Sequence, residues 1–320
     1  MDNITQLISK IGIVPVIALD KAEDAAPLAE ALCKGGLPCA EVTFRTAAAE
    51  ESIRIMAEKF PQMLVGAGTV LTTEQADRAI AAGAKFIVSP GLNPTVVKHC
   101  IQRSVPIVPG CANPSDIEAA IELGLDVVKF FPAEAAGGIK MIKAMSAPYG
   151  NIRFMPTGGI NADNINDYLS FSKIIACGGS WMVSKDMIAA GEFDKITELT
   201  KGAVQKMLGF SLAHIGINTD NEAQALSVAA LFESMFGFNS VNGNSSVFAG
   251  KGIEVMKSQF KGKSGHIAIG TNSVERAVYH LEARGVSFDK STEKRDASGR
   301  LKTVYLSGDF GGFAVHLVEK

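Results

Sequence analysis

The chain has 320 residues, of which 47% are hydrophobic and 20% are charged, and its formal net charge is −2. This length suggests about two domains of ~100–200 residues each. The near-neutral charge provides no electrostatic footprint for nucleic acid or an anionic membrane. The sequence contains no run of about 18 apolar residues, so no transmembrane helix is predicted. The first residues lack the pattern of a secretory signal. We therefore expect a cytoplasmic protein.

Three residue types are distributed unevenly along the chain. All twelve prolines lie at or before Pro156, and all five cysteines lie at or before Cys177. Four of the five histidines follow residue 210. We interpret this as two domains, residues 1–208 and 209–320. The cysteines form no C-x-x-C pair, so neither a disulfide framework nor a zinc knuckle is predicted.

The first domain alternates short apolar runs with amphipathic stretches. The runs predict strands over 13–19, 39–44, 64–68, 85–89, 106–110, 126–131, 153–159 and 173–179. Thr72 and Ser115 are predicted to be the N-caps of two intervening helices. Eight strand-helix units in about 200 residues predict an α/β fold of the TIM (β/α)8 barrel type. The alternative is an open doubly wound sheet, although no G-x-G-x-x-G fingerprint follows the first strand.

Two strands carry charged residues at positions suited to catalysis. Lys129 lies in an apolar strand, where burial disfavours the ammonium form and leaves an amine that can form a Schiff base with a ketone. Its alternative role is structural, with the head group reaching solvent at the strand end. Glu41 and Arg45 are predicted to share one strand face, which suggests a proton-transfer group beside an anion clamp. The alternative is an internal salt bridge.

Glycine pairs follow the last two predicted strands, at Thr157-Gly158-Gly159 and Gly178-Gly179-Ser180. Backbone amides at this position of a barrel commonly hold a phosphate. The alternative is that the glycines only turn the chain. No metal site is predicted in this domain, because His99 is its only histidine.

These residues lie within six motifs that occur together in the first domain. The motifs are Glu41-Val-Thr-Phe-Arg-Thr, Val65-Gly-Ala-Gly-Thr-Val, Ser89-Pro-Gly, Val128-Lys-Phe-Phe-Pro-Ala-Glu, Pro156-Thr-Gly-Gly-Ile and Gly178-Gly-Ser-Trp. Over roughly residues 1–207 the chain resembles the bacterial 2-keto-3-deoxy-6-phosphogluconate (KDPG) and 4-hydroxy-2-oxoglutarate (KHG) aldolases, a class I family with a TIM barrel.

The resemblance implies a lysine Schiff-base aldolase without a cofactor. Lys129 would form the Schiff base, and Glu41 would be the general acid and base. The substrate contacts that it implies are Arg45 and Thr69 on the pyruvyl carboxylate, Pro90 against the pyruvyl group, Thr157 on the substrate, and Gly158, Gly159, Gly179 and Ser180 on the phosphate. KDPG would give pyruvate and glyceraldehyde 3-phosphate, and KHG would give pyruvate and glyoxylate. The family's usual assembly is a homotrimer.

The second domain contains an internal repeat, which we predict to be two β-α-β-β-β modules in a small α+β domain. Its copies share the strand starts His214-Ile-Gly-Ile and His266-Ile-Ala-Ile, 52 residues apart. The pattern resembles the vicinal oxygen chelate superfamily, which includes glyoxalase I. The resemblance implies metal ligands at His214, Glu254, His266 and His316, a set that suits Zn²⁺, Ni²⁺, Fe²⁺ or Mn²⁺. His316 departs from the glutamate that is frequent in relatives.

The role of the second domain stays open. One hypothesis is a metal-dependent lyase, isomerase or dioxygenase-like enzyme, which would make the chain bifunctional. Another is a non-catalytic ligand-binding or oligomer-organising module, in which the strand histidines are ordinary hydrogen-bonded residues.

A third hypothesis concerns the first domain, which could be a degenerate barrel that acts as a sensor. The intact Lys129, Glu41 and Arg45 oppose this hypothesis. His280, in the middle of a helix, is predicted to be a surface residue.

Overall fold

The computed structural model describes residues 3–320. The chain divides into two compact units, of which the first ends at Met207 and the second is Leu208–Lys320. Within the described range, no helix has both the length and the apolar character needed to cross a membrane.

The first unit alternates strands and helices from its first helix onward. Its strands are β1 Ile13–Ile17, β2 Cys39–Thr43, β3 Leu64–Gly68, β4 Ile87–Val88, β5 Ile107–Val108, β6 Val127–Phe130, β7 Arg153–Pro156 and β8 Cys177–Gly179. Its helices are α1 Asn3–Ile11, α2 Ala25–Lys34, α3 Ala49–Lys59, α4 Thr73–Ala81, α5 Pro94–Gln102, α6 Pro114–Glu122, α7 Gly138–Ser146, α8 Ile165–Leu169, α9 Lys185–Ala189 and α10 Phe193–Leu208. A strand lies within each of the eight predicted apolar runs.

The strands of the first unit are parallel and neighbour one another in chain order. Six of them form a sheet in the order β5-β4-β3-β2-β1-β8, and β6 pairs with β7. A bridge between Gly110 and Lys129 links the end of β5 to β6, and one between Thr157 and Gly178 links β7 to β8. Parallel pairing brings the C-terminal ends of all these strands to one side, where the loops that follow them lie together.

Burial explains why these short runs form strands. Every residue of β1, β2 and β3 is buried, as expected for parallel strands that are covered on both faces. Helices α4, α5, α6 and α9 of this unit begin with side-chain caps. Thr72 caps α4 by accepting a hydrogen bond from the Gln75 amide at 3.2 Å, as predicted.

The predicted cap of α6 is wrong. The helix begins at Pro114, and its N-cap is Asn113, whose side chain accepts a hydrogen bond from the Asp116 amide at 3.0 Å. Ser115 is therefore already inside the first turn. Proline is favoured at the first helical position, since its missing N–H has no partner there in any case.

The second unit is a mixed sheet with two helices. Its strands are β9 Ser211–Ile217, β10 Ser240–Asn242, β11 Ser246–Ala249, β12 Ile253–Met256, β13 Gly265–Thr271, β14 Phe288–Arg295, β15 Leu301–Leu306 and β16 Phe313–Glu319. Its helices are α11 Glu222–Phe236 and α12 Val274–Glu282. The sheet order is β10-β11-β12-β9-β13-β16-β15-β14, with β9 and β13 antiparallel at the centre.

The two faces of this sheet differ. Ala225 and Ala229 of α11 pack on a buried cluster formed by Val247, Ala249 and Val255. Because successive strand residues point to opposite faces, the residues that alternate with this cluster on β11 and β12 point away from α11. The histidines of the sheet lie on that second face.

His280 is not a surface residue. The prediction is wrong because the residue is only 2% exposed within α12. Its ring lies 5.1 Å from the ring of Tyr279. His280 lies on the same buried side of α12 as Val274 and Ala277, and its polar ring does not reveal this position in the sequence.

Candidate functional site

A buried lysine–glutamate pair lies at the centre of the first unit. Lys129 on β6 is 5% exposed, and Glu41 on β2 is fully buried. The lysine Nζ lies 3.4 Å from Glu41 Oε1. Glu41 Oε2 is buried without a hydrogen-bond partner among residues 3–320. An unpaired buried carboxylate oxygen costs free energy, so this atom is available for a proton or a ligand hydroxyl.

The neighbouring strand leaves room for this carboxylate. A Cβ atom added to Gly68 on β3 would lie 2.2 Å from Glu41 Oε1. Any larger residue at position 68 would displace the carboxylate from Lys129. The glycine therefore helps to set the geometry of the pair.

Phe131 also belongs to this site, although it was not predicted from the sequence. The Lys129 Nζ lies 5.3 Å from the centroid of its ring. An aromatic face close to an ammonium group stabilises the positive charge. Its position two residues after the lysine was the only signal in the sequence.

The predicted strand face of Glu41 and Arg45 does not extend to the arginine. Strand β2 ends at Thr43, whose hydroxyl donates a hydrogen bond to the Ile17 carbonyl at 2.8 Å. Arg45 follows in a turn, and its side chain is exposed. Within the part of the chain that the structure describes, it forms no ion pair. A free guanidinium beside the C-terminal end of a strand suits an anionic ligand, whereas an internal salt bridge with Glu41 is not formed.

Thr69 has an unusual backbone conformation immediately after β3. Its φ angle is +57°, in the left-handed region, which is a genuine outlier for a β-branched residue. Such strain clusters at functional sites. Pro90 follows β4 in the next loop, next to Ser89, whose hydroxyl donates to the Gly91 carbonyl at 2.8 Å. Both residues lie on the side of the sheet where β2 and β6 end.

The loop after β7 has its carbonyl groups engaged, whereas the amides of its two glycines are free. The Thr157 carbonyl accepts from the Ala133 amide at 2.8 Å, and the Gly158 carbonyl accepts from the Glu134 amide at 3.0 Å. Gly158 and Gly159 have φ angles of +102° and +82°, which glycine adopts easily. Neither of their amides has an acceptor among residues 3–320. Two free backbone donors of this kind form a cradle for an anion.

The end of β8 lies beside this loop. Gly178 pairs with Thr157, and a Cβ atom at position 178 would lie 2.3 Å from the Thr157 hydroxyl oxygen. That hydroxyl is buried and has no partner among the described residues. Gly179 packs against the Trp181 ring, and Ser180 is exposed just beyond the strand. The two glycine segments of the sequence analysis are therefore adjacent.

In the second unit, the structure brings together three histidines and one glutamate. We call His214, Glu254, His266 and His316 the histidine cluster. The Nε2 atoms of His214 and His266 are 3.2 Å apart, and each lies 3.1 Å from Glu254 Oε2. The three histidines each offer a ring nitrogen, and these atoms all lie within 4.8 Å of one another.

Strand register explains this convergence. His214 and His316 both pair with Ala268 of β13, from opposite sides. His266 and Glu254 likewise both pair with Gly216 of β9. Residues that are directly paired share a sheet face, so all four side chains project from the face opposite α11.

Gly216 provides the space for one of these rings. A Cβ atom at position 216 would lie 2.1 Å from His266 Cε1. Tyr305 pairs with His316, and the two ring centroids are 4.7 Å apart. Neither residue was identified from the sequence, because only strand register places them beside the cluster.

The electrostatics of the cluster favour an anionic glutamate and a neutral histidine. Burial opposes the charge of Glu254, but hydrogen bonds with His214, His266 and Ser246 hold its pKa well below the ordinary value. Burial, together with the nearby His266, lowers the pKa of His316 to about 4. His316 is therefore neutral near pH 7, in the form that binds metals.

The donor set fits a metal ion. His316 Nδ1 lies 3.3 Å from the Leu317 carbonyl, which can only accept, so Nδ1 carries the proton. The other nitrogen, Nε2, then presents a lone pair, and it is buried without a partner in the described chain. Nitrogen ligands 2.0–2.1 Å from a tetrahedral zinc lie about 3.3 Å apart, close to the 3.2 Å between the Nε2 atoms of His214 and His266.

Comparison with protein families assigns the first unit. The family model described as "Aldolase: KDPG and KHG aldolase" matches residues 4–199. The 2-dehydro-3-deoxy-phosphogluconate aldolase of Treponema pallidum (strain Nichols) is 50% identical over 205 residues, which cover 64% of this chain and 98% of that protein. The KHG/KDPG aldolase of Escherichia coli (strain K12) is 43% identical over 193 residues, covering 60% of this chain and 91% of that protein.

Solved structures are similar over the same region. KDPG aldolase from Legionella pneumophila, with pyruvate captured as a covalent carbinolamine intermediate, has a TM-score of 0.61 and 39% identity, covering 63% of this chain and 98% of that one. The Zymomonas mobilis ZM4 aldolase with 3-phosphoglycerate has a TM-score of 0.58 and 41% identity, covering 63% of this chain and 94% of that one.

Proposed function

The chain belongs to the family of KDPG and KHG aldolases, and from this premise we propose how its first unit carries out the family's reaction. It is an aldehyde-lyase of class I. It cleaves KDPG to pyruvate and glyceraldehyde 3-phosphate, and/or KHG to pyruvate and glyoxylate, through a lysine Schiff base. The observation that carries this assignment is the buried pair of Lys129 and Glu41, whose atoms lie 3.4 Å apart.

In the mechanism that we propose, Lys129 is the nucleophile. Its Nζ attacks the C2 ketone of the substrate, and loss of water gives a protonated imine. The imine withdraws electrons from C3, so the C3–C4 bond can break once the C4 hydroxyl loses its proton. Glu41 takes this proton, directly or through a water molecule. Cleavage leaves an enamine on Lys129 and releases the C4 fragment as the aldehyde. The enamine is then protonated at C3, and hydrolysis of the imine releases pyruvate and regenerates the amine.

The remaining residues bind the two ends of the substrate. Arg45 and Thr69 hold the pyruvyl carboxylate, and Pro90 lies against the pyruvyl group. At the other end, Thr157 contacts the substrate, and its phosphate is bound by Gly158, Gly159, Gly179 and Ser180. The free amides of Gly158 and Gly159 and the unpartnered Thr157 hydroxyl support the assignment of the phosphate end of the substrate to these residues. We further propose that the unit is a complete (β/α)8 barrel and that the enzyme is a cytoplasmic homotrimer.

Direct assay of the purified full chain tests the function. Pyruvate release should be measured with KDPG and with KHG, each with and without EDTA. We expect cleavage that does not change with EDTA, because the amine and the carboxylate provide the chemistry. We also expect kcat/KM to be at least about 10-fold higher for KDPG, because charge-assisted bonds hold its phosphate. Absence of pyruvate from both substrates would refute the assignment.

For the second unit, we propose a vicinal oxygen chelate domain that binds a divalent metal through His214, Glu254, His266 and His316. Two observations support the metal site: the separations among the ligand atoms and the partnerless Nε2 of His316. The order of a strand, a helix and three strands, repeated once, supports the family. A bound metal would act as a Lewis acid toward an oxygen of a small oxo acid or aldehyde.

Two roles are compatible with such a site. In one, the domain is a lyase, isomerase or dioxygenase-like enzyme, and the chain is bifunctional. In the other, the domain is a non-catalytic ligand-binding module. The side chains of His214 and Glu254 are 15% and 16% exposed, so a small ligand could approach the cluster in either role.

Metal analysis of the full chain tests the site. After expression with Zn²⁺, Ni²⁺, Fe²⁺ or Mn²⁺, we expect about one equivalent of one metal per chain and a higher unfolding temperature of the metal-loaded protein. His214→Ala combined with His266→Ala should remove the metal and leave KDPG cleavage unchanged. His99→Ala, a histidine bonded to Asp77 in the first unit, is the control and should retain the metal. Less than about 0.1 equivalent in the wild type would contradict the proposal.

A further inference from the structure

Helix α8 and the residue before it contact two loops at the proposed phosphate site. Tyr168, near the C-terminal end of α8, is 1% exposed, and its hydroxyl donates a hydrogen bond to Glu134 Oε1. Asn164, which precedes the helix, donates from Nδ2 to the Gly159 carbonyl at 3.0 Å. One short helix thus contacts the loop after β6 through Glu134 and the loop after β7 through Gly159.

The two loops are also bonded directly to each other. The Glu134 amide donates to the Gly158 carbonyl at 3.0 Å, beside the bond from Ala133 to Thr157. The contact is close, since a Cβ atom at position 159 would lie 2.6 Å from Glu134 Cβ. A shift of Glu134 would therefore move the backbone of Gly158 and Gly159.

The tyrosine can act only as a donor in this arrangement. Burial raises the pKa of Tyr168 above its ordinary value, and the bond to the Glu134 carboxylate and its negative charge raise it further. The hydroxyl keeps its proton throughout the working pH range. A hydrogen bond to a charged acceptor is stronger than a neutral one, so this contact fixes the Glu134 side chain.

We propose that Tyr168 and Glu134 are positioning residues that hold the amides of Gly158 and Gly159 in place for the substrate phosphate. This inference rests on the proposed function, because it takes the loop after β7 as the phosphate site. The three carbonyls of the loop are bonded to Ala133, Glu134 and Asn164. Their engagement directs the glycine amides outward, and Tyr168 holds Glu134 in the position that this requires. The pair thereby sets the preference for phosphorylated over unphosphorylated substrates.

A comparison of two substrates separates this role from a general structural one. Tyr168→Phe should raise the KM for KDPG about 10-fold, the effect of losing one hydrogen bond to a charged group. Its KM for KHG and both kcat values should stay within about 2-fold of the wild type, because the lysine and glutamate are untouched. Glu134→Gln retains an acceptor for Tyr168 without its charge, so its KM for KDPG should fall between those of the wild type and Tyr168→Phe. Glu134→Ala should resemble Tyr168→Phe.

Tyr149→Phe is the matched control. Its hydroxyl bonds to Glu118 at 3.0 Å in the same unit, and its removal should leave both KM values unchanged. The double variant Tyr168→Phe/Glu134→Ala should be no worse than either single variant, since both remove the same interaction. Equal increases in KM for KDPG and KHG, or no increase for either, would overturn the proposal.

Binding of inorganic phosphate gives a readout that does not depend on cleavage. The dissociation constant, measured by calorimetry, should rise about 10-fold in Tyr168→Phe and in Glu134→Ala, and it should not change in Tyr149→Phe. A wild-type chain that cleaves neither substrate would refute the proposed function. A wild-type chain that cleaves both, with variants unaltered in phosphate affinity, would refute the positioning role alone. Glu134 is exposed, so Glu134→Ala tests the idea if Tyr168→Phe does not fold.

Discussion

Lys129→Ala should abolish the covalent trapping of pyruvate by borohydride and lower kcat for KDPG cleavage by at least about 10³-fold, as when a catalytic unit loses its nucleophile. The buried Nζ is the only amine that the structure places beside Glu41 among residues 3–320. Without it no imine forms, and the C3–C4 bond has no electron sink. The mass of the trapped adduct and the rate of pyruvate release are the measurements.

The control for this variant is Lys98→Ala, which removes an exposed lysine of α5. It should be trapped with pyruvate as completely as the wild type. Undiminished labelling of Lys129→Ala would eliminate Lys129 as the Schiff-base residue. Circular dichroism of each variant distinguishes loss of the nucleophile from loss of the fold.

Glu41→Gln should lower kcat about 10²–10⁴-fold, the usual contribution of a positioned acid or base. The amide has the shape of the carboxylate but cannot take the C4 hydroxyl proton. Because Lys129 is intact in this variant, borohydride should still trap pyruvate after longer incubation. Cleavage and trapping are measured on the same preparation, so that loss of proton transfer can be separated from loss of the nucleophile.

Glu58→Gln is the matched control, since Glu58 is exposed on α3. It should retain the wild-type kcat. A Glu41→Gln enzyme with wild-type kcat would show that another group, or water alone, removes the proton. Loss of trapping to the same extent as cleavage would indicate that Glu41 is needed to form the imine and not for bond cleavage.

The positions of the strands in the first unit could be predicted because each is a short, mostly apolar run that is buried over most of its length. Their ends were less predictable. The pattern of Glu41 and Arg45 suggests a strand that continues to residue 45, whereas β2 ends at Thr43. The hydroxyl of Thr43 bonds to the Ile17 carbonyl of a neighbouring strand. A bond between residues so far apart in the sequence leaves no periodicity to detect.

Competition between neighbouring residues explains the wrong cap of α6, whereas a long-range contact explains why Tyr168 and Glu134 were missed. Asn113 and Ser115 are both good helix caps, and Pro114 decides between them because it fits the first helical turn. For Tyr168 and Glu134, the deciding contact spans 34 residues. Their pairing needs α8 to fold back onto the loop after β6, which no motif indicates.

In the second unit, the repeat itself was the informative signal. His214 and His266 occupy equivalent positions of the two copies, which indicates that they belong to one site. The structure places their Nε2 atoms 3.2 Å apart. Gly216 and Tyr305 could not be foreseen, since their importance depends on register across the sheet. The sequence pattern therefore indicated which residues meet, while strand pairing determined what surrounds them.

The pairing of β9 with β13 has a consequence for the origin of this unit. His214 pairs with Ala268, and His266 pairs with Gly216. Because His214 is equivalent to His266 and Gly216 to Ala268 in the two copies, a local twofold axis relates the two pairs. One copy of the repeat carries His214 and Glu254, and the other carries His266 and His316. A protein with a single copy would hold half of the cluster and would need to form a symmetric dimer to complete it. Joining the copies in one chain removes the need for a dimer. It also allows equivalent positions to carry different residues, such as Glu254 in one copy and His316 in the other.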